Sequence, residues 1–222
     1  MNNIFRVAID GPSGAGKSTI AKAVAKALDI DYIDTGAMYR AIGYKMDRDG
    51  VPFDANDPTG ALAAMLDNTD IDFVSGDIIL DGEVVNDLIR TPEVSMLASQ
   101  CSSLAPVREK LVEIQRGMGM RKSVIMDGRD IGTNVLKDAE FKIYLTASAE
   151  ERAERRFKEL QEKGETQTYE EVLEDIKQRD YNDMTRELNP LRKADDAIEV
   201  DTTGIGIDEV VDTVLDIIRD EE

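Results

Sequence analysis

The chain has 222 residues, and its 46 acidic and 27 basic side chains give a formal net charge of −19 at pH 7. A chain this acidic lacks the basic footprint of nucleic-acid-binding proteins, which argues against a nucleic-acid polymer as partner. Its lack of histidine and its single cysteine, Cys101, exclude His-dependent triads, His-ligated zinc sites and internal disulfides. With no apolar run of about 18 residues and no signal-peptide features in residues 1–3, we expect a cytoplasmic protein without membrane contact.

The first predicted strand, residues 6–9, leads into a glycine-rich segment and then into a predicted helix at 17–28. This segment fits the P-loop pattern, in which a turn follows a strand and opens a helix. Backbone N–H groups of such a turn bind phosphate oxygens, its lysine contacts the β- and γ-phosphates, and its serine hydroxyl suits Mg²⁺. The sequence therefore predicts a nucleoside-triphosphate site at Gly11, Pro12, Ser13, Gly14, Ala15, Gly16, Lys17, Ser18 and Thr19.

The second predicted strand, residues 32–33, precedes the segment 34–40 and a predicted helix at 36–47. Ligands of open α/β sheets bind beyond the carboxyl ends of the strands. Thr35 and Arg40 are therefore candidates for contacting a second substrate. An ordinary surface position for Arg40 is equally compatible with the sequence.

Residues 70–86 interrupt the alternation of strands and helices. They contain three short β runs, at 71–74, 78–80 and 84–85, separated by turns that contain glycine. Short β runs joined by such turns are typical of a small antiparallel meander. We expect this meander to be inserted into the main fold.

A predicted helix at 107–118 and a strand at 123–126 lead into the segment 127–130. An acidic residue that ends a buried strand near a P-loop can hold Mg²⁺ directly or through water, which makes Asp127 a candidate. Arg129 and Asp130 follow a glycine that permits a sharp turn. They are candidates for substrate contacts, or they form a salt bridge with each other.

The last third of the chain continues the alternation, with strands predicted at 141–145 and 197–200 and helices at 149–163 and 207–219. Ser148 followed by Glu151 predicts a capping box at the start of the first of these helices. Strands alternating with helices predict a parallel α/β sheet. Structural and functional interpretations are both open for three arginines of the first helix, Arg152, Arg155 and Arg156.

Residues 164–193 are highly charged and are predicted to form a polar helical excursion. Such a segment can be a mobile lid or a merely solvated helix. Arg179, Asp183 and Arg186 are spaced to share one helical face. They could bind a ligand, or they could pair with one another in water.

Five spaced motifs together resemble the bacterial-type cytidylate kinases, a family of nucleoside monophosphate kinases. The motifs are 11–19, 34–40, 89–94, 127–133 and 179–186 with 190–191. The resemblance covers essentially the full length and includes the inserted meander. It implies one α/β domain over residues 1–222, with a P-loop NTPase three-layer α/β/α core around a parallel sheet. It also implies an antiparallel β monophosphate-binding insertion at 62–100 and a helical lid at 164–193.

The resemblance further implies ATP-dependent phosphorylation of CMP and dCMP, with Mg²⁺ bound alongside ATP. It implies catalytic roles for Lys17, Arg40, Arg129 and Arg186, of which the three arginines contact the phosphate of CMP. Ser18 and Asp127 are the implied metal ligands, the latter directly or through water. The implied base contacts are Ser99, Arg108 and Asp130, the implied sugar contacts are Arg179 and Asp183, and Thr35 stands at a CMP-binding position often held by serine.

Cytosine presents an N4 donor beside its N3 and O2 acceptors, so Asp130 can accept from N4 while Arg108 donates to N3 or O2. Uracil presents an acceptor at position 4 and would leave the carboxylate unpaired. Two alternatives remain open: a P-loop kinase of another small metabolite or nucleoside monophosphate, and a nucleotide-hydrolysing switch. The chain lacks the Asn-Lys-x-Asp motif of GTPases, which counts against the switch. We expect a monomer.

Overall fold

The computed structural model describes residues 4–74, 76–162 and 164–220, which divide into two compact units. The first contains the described residues up to Tyr32 and from Lys122 onward, and the second spans Ile33–Arg121. In chain order the strands and α-helices are β1 (Arg6–Asp10), α1 (Lys17–Leu28), β2 (Asp31–Asp34), α2 (Thr35–Arg48), α3 (Ala61–Asp67), β3 (Ile71–Val74), β4 (Asp77–Leu80), β5 (Glu83–Val84), α4 (Pro92–Cys101), α5 (Ala105–Arg121), β6 (Val124–Gly128), β7 (Phe141–Thr146), α6 (Ala149–Glu162), α7 (Tyr169–Thr185), β8 (Ile198–Asp201) and α8 (Ile207–Asp220).

The main sheet has five strands in the order β2-β6-β1-β7-β8. The central strand β1 pairs in parallel with β6 and β7, and β7 pairs in parallel with β8. Asp10 lies opposite Gly128 on one side and opposite Tyr144 on the other. Because parallel strands end at the same edge, the segments that follow β1 and β6 emerge side by side.

Apolar burial on the first unit's sheet explains why these segments form strands and helices. Val7, Ile9 and Ile143 of the sheet are fully or almost fully buried with Val210 and Val214 of the amphipathic helix α8. α1 contributes Ile20, Ala21 and Val24 to the same core. Because helices cover this sheet, the sequences of its parallel strands are largely continuous apolar runs.

Helices α6 and α7 pack on each other around a separate small core. Ala153 and Leu160 of α6 are buried with Val172 and Ile176 of α7. A complete capping box begins α7: the Thr168 hydroxyl accepts from the Glu171 N–H, and the Glu171 carboxylate accepts from the Thr168 N–H. The charged 164–193 segment thus contains a well-formed helix with an apolar side.

In the second unit, helix α2 packs against α4 and α5, and β3-β4-β5 form a separate antiparallel sheet. Lys45 of α2 is buried, and its Nζ donates to Asp81 Oδ2 at 2.6 Å and to the Asn68 carbonyl at 3.1 Å. Cys101 at the end of α4 is also buried, and its Sγ lies 3.4 Å from the Tyr39 carbonyl oxygen. Burial raises the pKa of this thiol to about 12.

The predicted strands and the meander all correspond to observed strands, with boundaries that differ by a few residues. The predicted helix 17–28 is confirmed, and the helix predicted at 149–163 is described as Ala149–Glu162, because residue 163 lies outside the described residues. The turn predicted at 75–77 is described only from residue 76 onward. Helices α3 and α4 and a π-helical turn at Ile131–Val135 were not predicted.

The capping box predicted at Ser148 and Glu151 forms only in part. The Ser148 hydroxyl accepts from the Glu151 N–H at 3.1 Å, as predicted. The Ser148 N–H donates instead to Thr203 Oγ1 at 3.1 Å, so the reciprocal bond from Glu151 is replaced by a contact with the loop after β8. The prediction of a complete box was wrong because a hydroxyl distant in sequence competes for that donor.

Candidate nucleotide-binding site

The glycine-rich turn begins where β1 ends, directly beside the neighbouring strand β7. Gly11 has φ +150°, and a Cβ atom placed on it would lie 2.0 Å from the Leu145 carbonyl oxygen. A side chain at this position would therefore collide with the backbone of β7. The turn then passes through Gly16 in the left-handed region and enters α1 at Lys17, as the P-loop pattern predicts.

Lys17 is buried at the start of α1, and its Nζ donates to the Pro12 carbonyl at 2.7 Å. Burial and, secondly, the positive charge of Arg129 lower the pKa of this ammonium to about 7, against the opposing effects of Asp127 and Asp10. An anionic ligand would stabilise the charged form of this buried ammonium, because phosphate oxygens raise the pKa that burial has lowered.

Ser18 lies beside the acidic residue that was predicted from the end of β6. Its Oγ donates to Asp127 Oδ2 at 2.8 Å, and the Tyr32 hydroxyl donates to Asp127 Oδ1 at 2.8 Å. Asp127 is buried, so both carboxylate oxygens are held in place. The structure thus brings together the two residues predicted to bind Mg²⁺, and it adds Tyr32, which the sequence analysis missed.

A buried carboxylate, Asp10, fixes the chain just beyond β6. Its two oxygens accept from the N–H groups of Ile131 and Gly132, each at 2.7 Å. Burial raises the pKa of Asp10 to about 6, although these two hydrogen bonds favour the charged form. Because the bonded N–H groups directly follow Asp130, Asp10 determines where that predicted base contact lies.

Arg129 and Asp130 do not pair with each other, contrary to one of the two interpretations left open by the sequence. Arg129 Nε donates to Asp183 Oδ2 at 2.7 Å, and Arg186 Nη2 donates to Asp130 Oδ1 at 3.0 Å. Arg186 also lies 3.9 Å from Asp183. Both ion pairs connect the segment after β6 to the end of α7.

Burial disfavours the ionised carboxyl of Asp183, but the charge and hydrogen bond of Arg129, with smaller contributions from Arg179 and Arg186, lower its pKa. Two of the three residues of the predicted helical face, Asp183 and Arg186, thus contact the segment after β6, whereas Arg179 is exposed. Pairing among the three residues accounts for only part of their contacts.

The remaining candidate residues lie in the second unit. Asp34 caps α2 by accepting from the Ala37 N–H at 2.8 Å, and its other oxygen accepts from Arg40 Nη2 at 3.0 Å. Among the described residues, the buried Nε of Arg40 has no hydrogen-bond partner. A buried guanidinium N–H in this condition favours an anionic ligand over an ordinary surface position.

Thr35 is buried at the start of α2 and Ser99 is exposed on α4. Arg108 of α5 is buried, with its guanidinium carbon 5.6 Å from the centre of the Tyr39 ring. Its Nη1 lies 3.4 Å from the Ser102 carbonyl oxygen. An arginine held against an aromatic face at this depth is fixed for directional hydrogen bonding.

The two other arginines of α6 that the sequence left open contact nearby protein groups. Arg155 donates to the Thr202 carbonyl at 2.8 Å and to Glu151, and Arg156 pairs with Glu159 at 3.1 Å. Arg152 is buried and contacts the P-loop itself. Tyr32 and Asp10 were missed as site residues because their roles depend on partners far away in sequence. For Arg152, which the sequence left open, the contact with the P-loop favours a functional interpretation.

A P-loop that follows the central strand of a parallel five-stranded sheet defines an α/β P-loop nucleotide-binding protein. Its lysine and serine begin the helix, and the serine is paired with an aspartate of the neighbouring strand. A crystal structure of a Eubacterium ventriosum protein is similar in fold, with TM-score 0.54 and 13% identity over 98% of this chain and 99% of that one. Thermus thermophilus TT1252 is similar with TM-score 0.51 and 16% identity, over 99% and 98% of the two chains. At these identities the likeness concerns the fold alone.

Sequence comparison identifies the family. The model described as cytidylate kinase matches residues 7–220, so the chain belongs to the cytidylate kinase family. It is 56% identical to the cytidylate kinase of Caldicellulosiruptor saccharolyticus over 96% of this chain and 95% of that protein. It is 53% identical to the cytidylate kinase of Clostridioides difficile over 97% and 98% of the two chains. The family expected from the motifs is thereby confirmed.

Proposed function

We propose that this protein transfers the γ-phosphoryl group of ATP to CMP and dCMP, giving CDP and dCDP. The observation that carries the proposal is full-length membership of the cytidylate kinase family in a chain with an intact P-loop. The acceptor is a phosphate oxygen, which is mostly dianionic at pH 7 because its second pKa is about 6. No base is needed to deprotonate it, which agrees with a chain that has no histidine.

Catalysis of this transfer requires positive charge that brings two anions together and stabilises the transferring group. The P-loop backbone with Lys17 supplies it for the donor. Arg129 and Arg186 supply it for the phosphate of CMP, and we extend this role to Arg40. The charge lies on groups that ion pairs and burial have already oriented, which lowers the cost of reorganisation during the reaction.

The residues at the start of α1 fit a magnesium ion that accompanies ATP. Ser18 Oγ and Asp127 are hard oxygen ligands already 2.8 Å apart. In the described part of the chain no cluster of three or more His, Cys, Asp or Glu side chains could hold a metal. This suits Mg²⁺, which takes one or two protein ligands and completes its shell with phosphates and water. The ion would shield the negative charge of the phosphates.

For the acceptor base, we assign Asp130 to the N4 amino group of cytosine, Arg108 to N3 or O2, and Ser99 to a further contact with the base. Arg179 and Asp183 are assigned to the sugar, and Thr35 to CMP. These assignments follow the resemblance of the motifs. The burial of Asp130 and Arg108 supports them, because discrimination by a hydrogen-bonding group is strongest where the group cannot turn to water instead.

No helix in the described ranges is long and apolar enough to cross a membrane. A cytoplasmic location, a monomeric state and the absence of a nucleic-acid partner stay predictions of this proposal.

A panel assay tests the proposed function. Purified protein is supplied with MgATP and, in turn, with CMP, dCMP, UMP, AMP, GMP, shikimate or gluconate, and ADP release is measured by a coupled reaction. We expect CMP and dCMP to be used with the highest kcat/KM and ADP release to require Mg²⁺. Preference for another acceptor would contradict the proposal, and ADP release without any acceptor would favour the hydrolysing switch.

A further inference from the structure

We infer that Arg152 and Asp180 are positioning residues that couple donor binding at the P-loop to the end of helix α7, which carries the acceptor contacts. The inference rests on the proposed function, since it concerns how the sites for its two substrates affect one another. Arg152 lies outside the five motifs that carry the family resemblance, and Asp180 lies within the motif 179–186 but is given no role by that resemblance.

Arg152 lies at the centre of a fixed set of hydrogen bonds. Its Nε donates to the Ala147 carbonyl at 3.0 Å, and its Nη1 donates to the Ser13 carbonyl at 3.0 Å. The two Nη atoms bind Asp180 as a fork, at 3.0 and 2.6 Å. The side chains of Arg152 and Asp180 are 5% and 14% exposed. A guanidinium engaged on every edge in a buried position has little freedom to reorient.

The contact with Ser13 determines the orientation of one P-loop peptide. In a planar trans peptide the carbonyl and the following N–H point in opposite directions. Because the Ser13 carbonyl points to Arg152, the Gly14 N–H must point away from it. A Cβ placed on Gly14 would lie 3.2 Å from Arg152 Cβ, so the arginine also packs directly against the loop. Arg152 therefore positions an N–H group that we assign to phosphate binding.

The contact with Asp180 holds the part of α7 that apolar packing does not. Among the described residues, the buried core shared by α6 and α7 extends no further along α7 than Ile176. Asp180 follows it by one turn, next to Arg179 and three residues before Asp183. The C-terminal turns of α7 are thus held by ion pairs, among them Arg152–Asp180, Arg129–Asp183 and, at the helix end, Arg186–Asp130.

These contacts form one continuous path from the P-loop to the acceptor contacts. A phosphate that orders the loop also orders Ser13, hence Arg152 and the end of α7. Coupling of this kind is reciprocal, so the donor should tighten CMP binding by the same factor as CMP tightens donor binding, ~5- to 150-fold in typical cases. Removing the Asp180 end of the path should abolish the coupling while leaving Arg152 on the P-loop.

The test measures binding without turnover. CMP is titrated with and without saturating magnesium and a non-hydrolysable ATP analogue, and the analogue is titrated alone, for the parent, Asp180→Asn and Arg152→Gln. In Asp180→Asn we expect analogue affinity within about threefold of the parent and a coupling factor that falls toward one. In Arg152→Gln both the analogue affinity and the coupling should fall. The double variant should have the same coupling factor between CMP and the analogue as Arg152→Gln alone, because both substitutions interrupt the same series of contacts.

Arg156→Gln is the matched control, because Arg156 lies on the same helix and pairs with Glu159 at the surface. It should retain the coupling of the parent. Thermal melting reports folding, and Arg152→Lys, which keeps the charge without the fork, replaces Arg152→Gln if the latter unfolds. An unchanged coupling factor in Asp180→Asn, or a parent that phosphorylates CMP without coupling, would overturn the inference alone. A parent that neither binds nor phosphorylates CMP would overturn the proposed function with it.

Discussion

Arg129 and Asp183 form a short ion pair, with Nε 2.7 Å from Oδ2, across 54 residues of sequence. Burial disfavours the ionised carboxyl of Asp183, but the charge and hydrogen bond of Arg129 hold its pKa below the usual range. Asp183 is therefore ionised at neutral pH. The pair attaches the end of α7 to the segment after β6 from which the proposed phosphate and base contacts emerge.

Two residues at the end of α7, Asp183 and Arg186, should affect the kinetics differently when substituted. Asp183→Ala removes a proposed sugar contact and should raise KM for CMP about tenfold, as expected for a hydrogen bond to a charged group. Arg186→Ala removes a positive charge that we expect to stabilise the transferring phosphoryl group, so it should lower kcat by about 10²-fold or more. Steady-state kinetics with CMP and dCMP separate the two effects, and a change in the CMP/dCMP ratio in Asp183→Ala would place the carboxylate at the 2′-hydroxyl.

Glu174→Ala is the control for these variants, because Glu174 is exposed on the same helix α7. It should change neither constant. If Asp183→Ala and Arg186→Ala also leave CMP kinetics unchanged, residues 164–193 are a solvated excursion and not a lid.

Lys17→Ala should lower kcat by at least about 10²-fold, because it removes a preorganised charge from the proposed transition state. We expect the variant to remain folded, because burial already disfavours the charged ammonium of Lys17 and its removal should cost the fold little stability. Turnover and thermal melting are compared with Lys26→Ala, an exposed position on the same helix. Near-normal turnover with unchanged melting would contradict the P-loop assignment.

Asp130→Asn should narrow the gap between CMP and UMP, because an amide can donate to the O4 of uracil. One such hydrogen-bonding group contributes ~1–3 kcal/mol of discrimination. The ratio of kcat/KM for the two substrates measures it, with Asp138→Asn as an exposed control. A constant ratio would mean that Asp130 does not contact the base and serves mainly as the partner of Arg186.

The stability of the fold should depend on pH through Asp10. Its pKa is about 6 in the folded chain and 3.8 in the reference state, so between these values the folded chain binds more protons than the unfolded chain. The contribution of Asp10 to the free energy of unfolding therefore decreases as pH rises from about 4 to about 6. The free energy of unfolding of the parent, measured relative to that of Asp10→Asn, should fall by on the order of 3 kcal/mol between about pH 4 and about pH 6. Urea unfolding at several pH values checks this, and a difference independent of pH would contradict it.

The sequence was sufficient for features that depend on local pattern. The P-loop, the parallel strands and the meander follow from apolar runs and glycine positions, and the serine–aspartate pair follows from the edge at which parallel strands end. Helix α3 was missed because it has only seven residues, and α4 because its ten residues mix apolar with polar side chains. The roles of Asp10 and Tyr32, and the contact of Arg152 with the P-loop, depend on partners more than 90 residues away in sequence. No local pattern encodes such partners.

The buried state of Cys101 has a practical consequence for spectroscopy. A thiol with a pKa of about 12 contributes almost no thiolate at neutral pH, and the thiolate is the form that maleimides and similar reagents attack. The native chain therefore behaves toward such reagents as though it had no cysteine. A fluorophore can be attached to a new thiol at an exposed position of α7, such as Gln178, without first replacing the natural one. Motion of that helix can thus be followed in the otherwise unaltered protein.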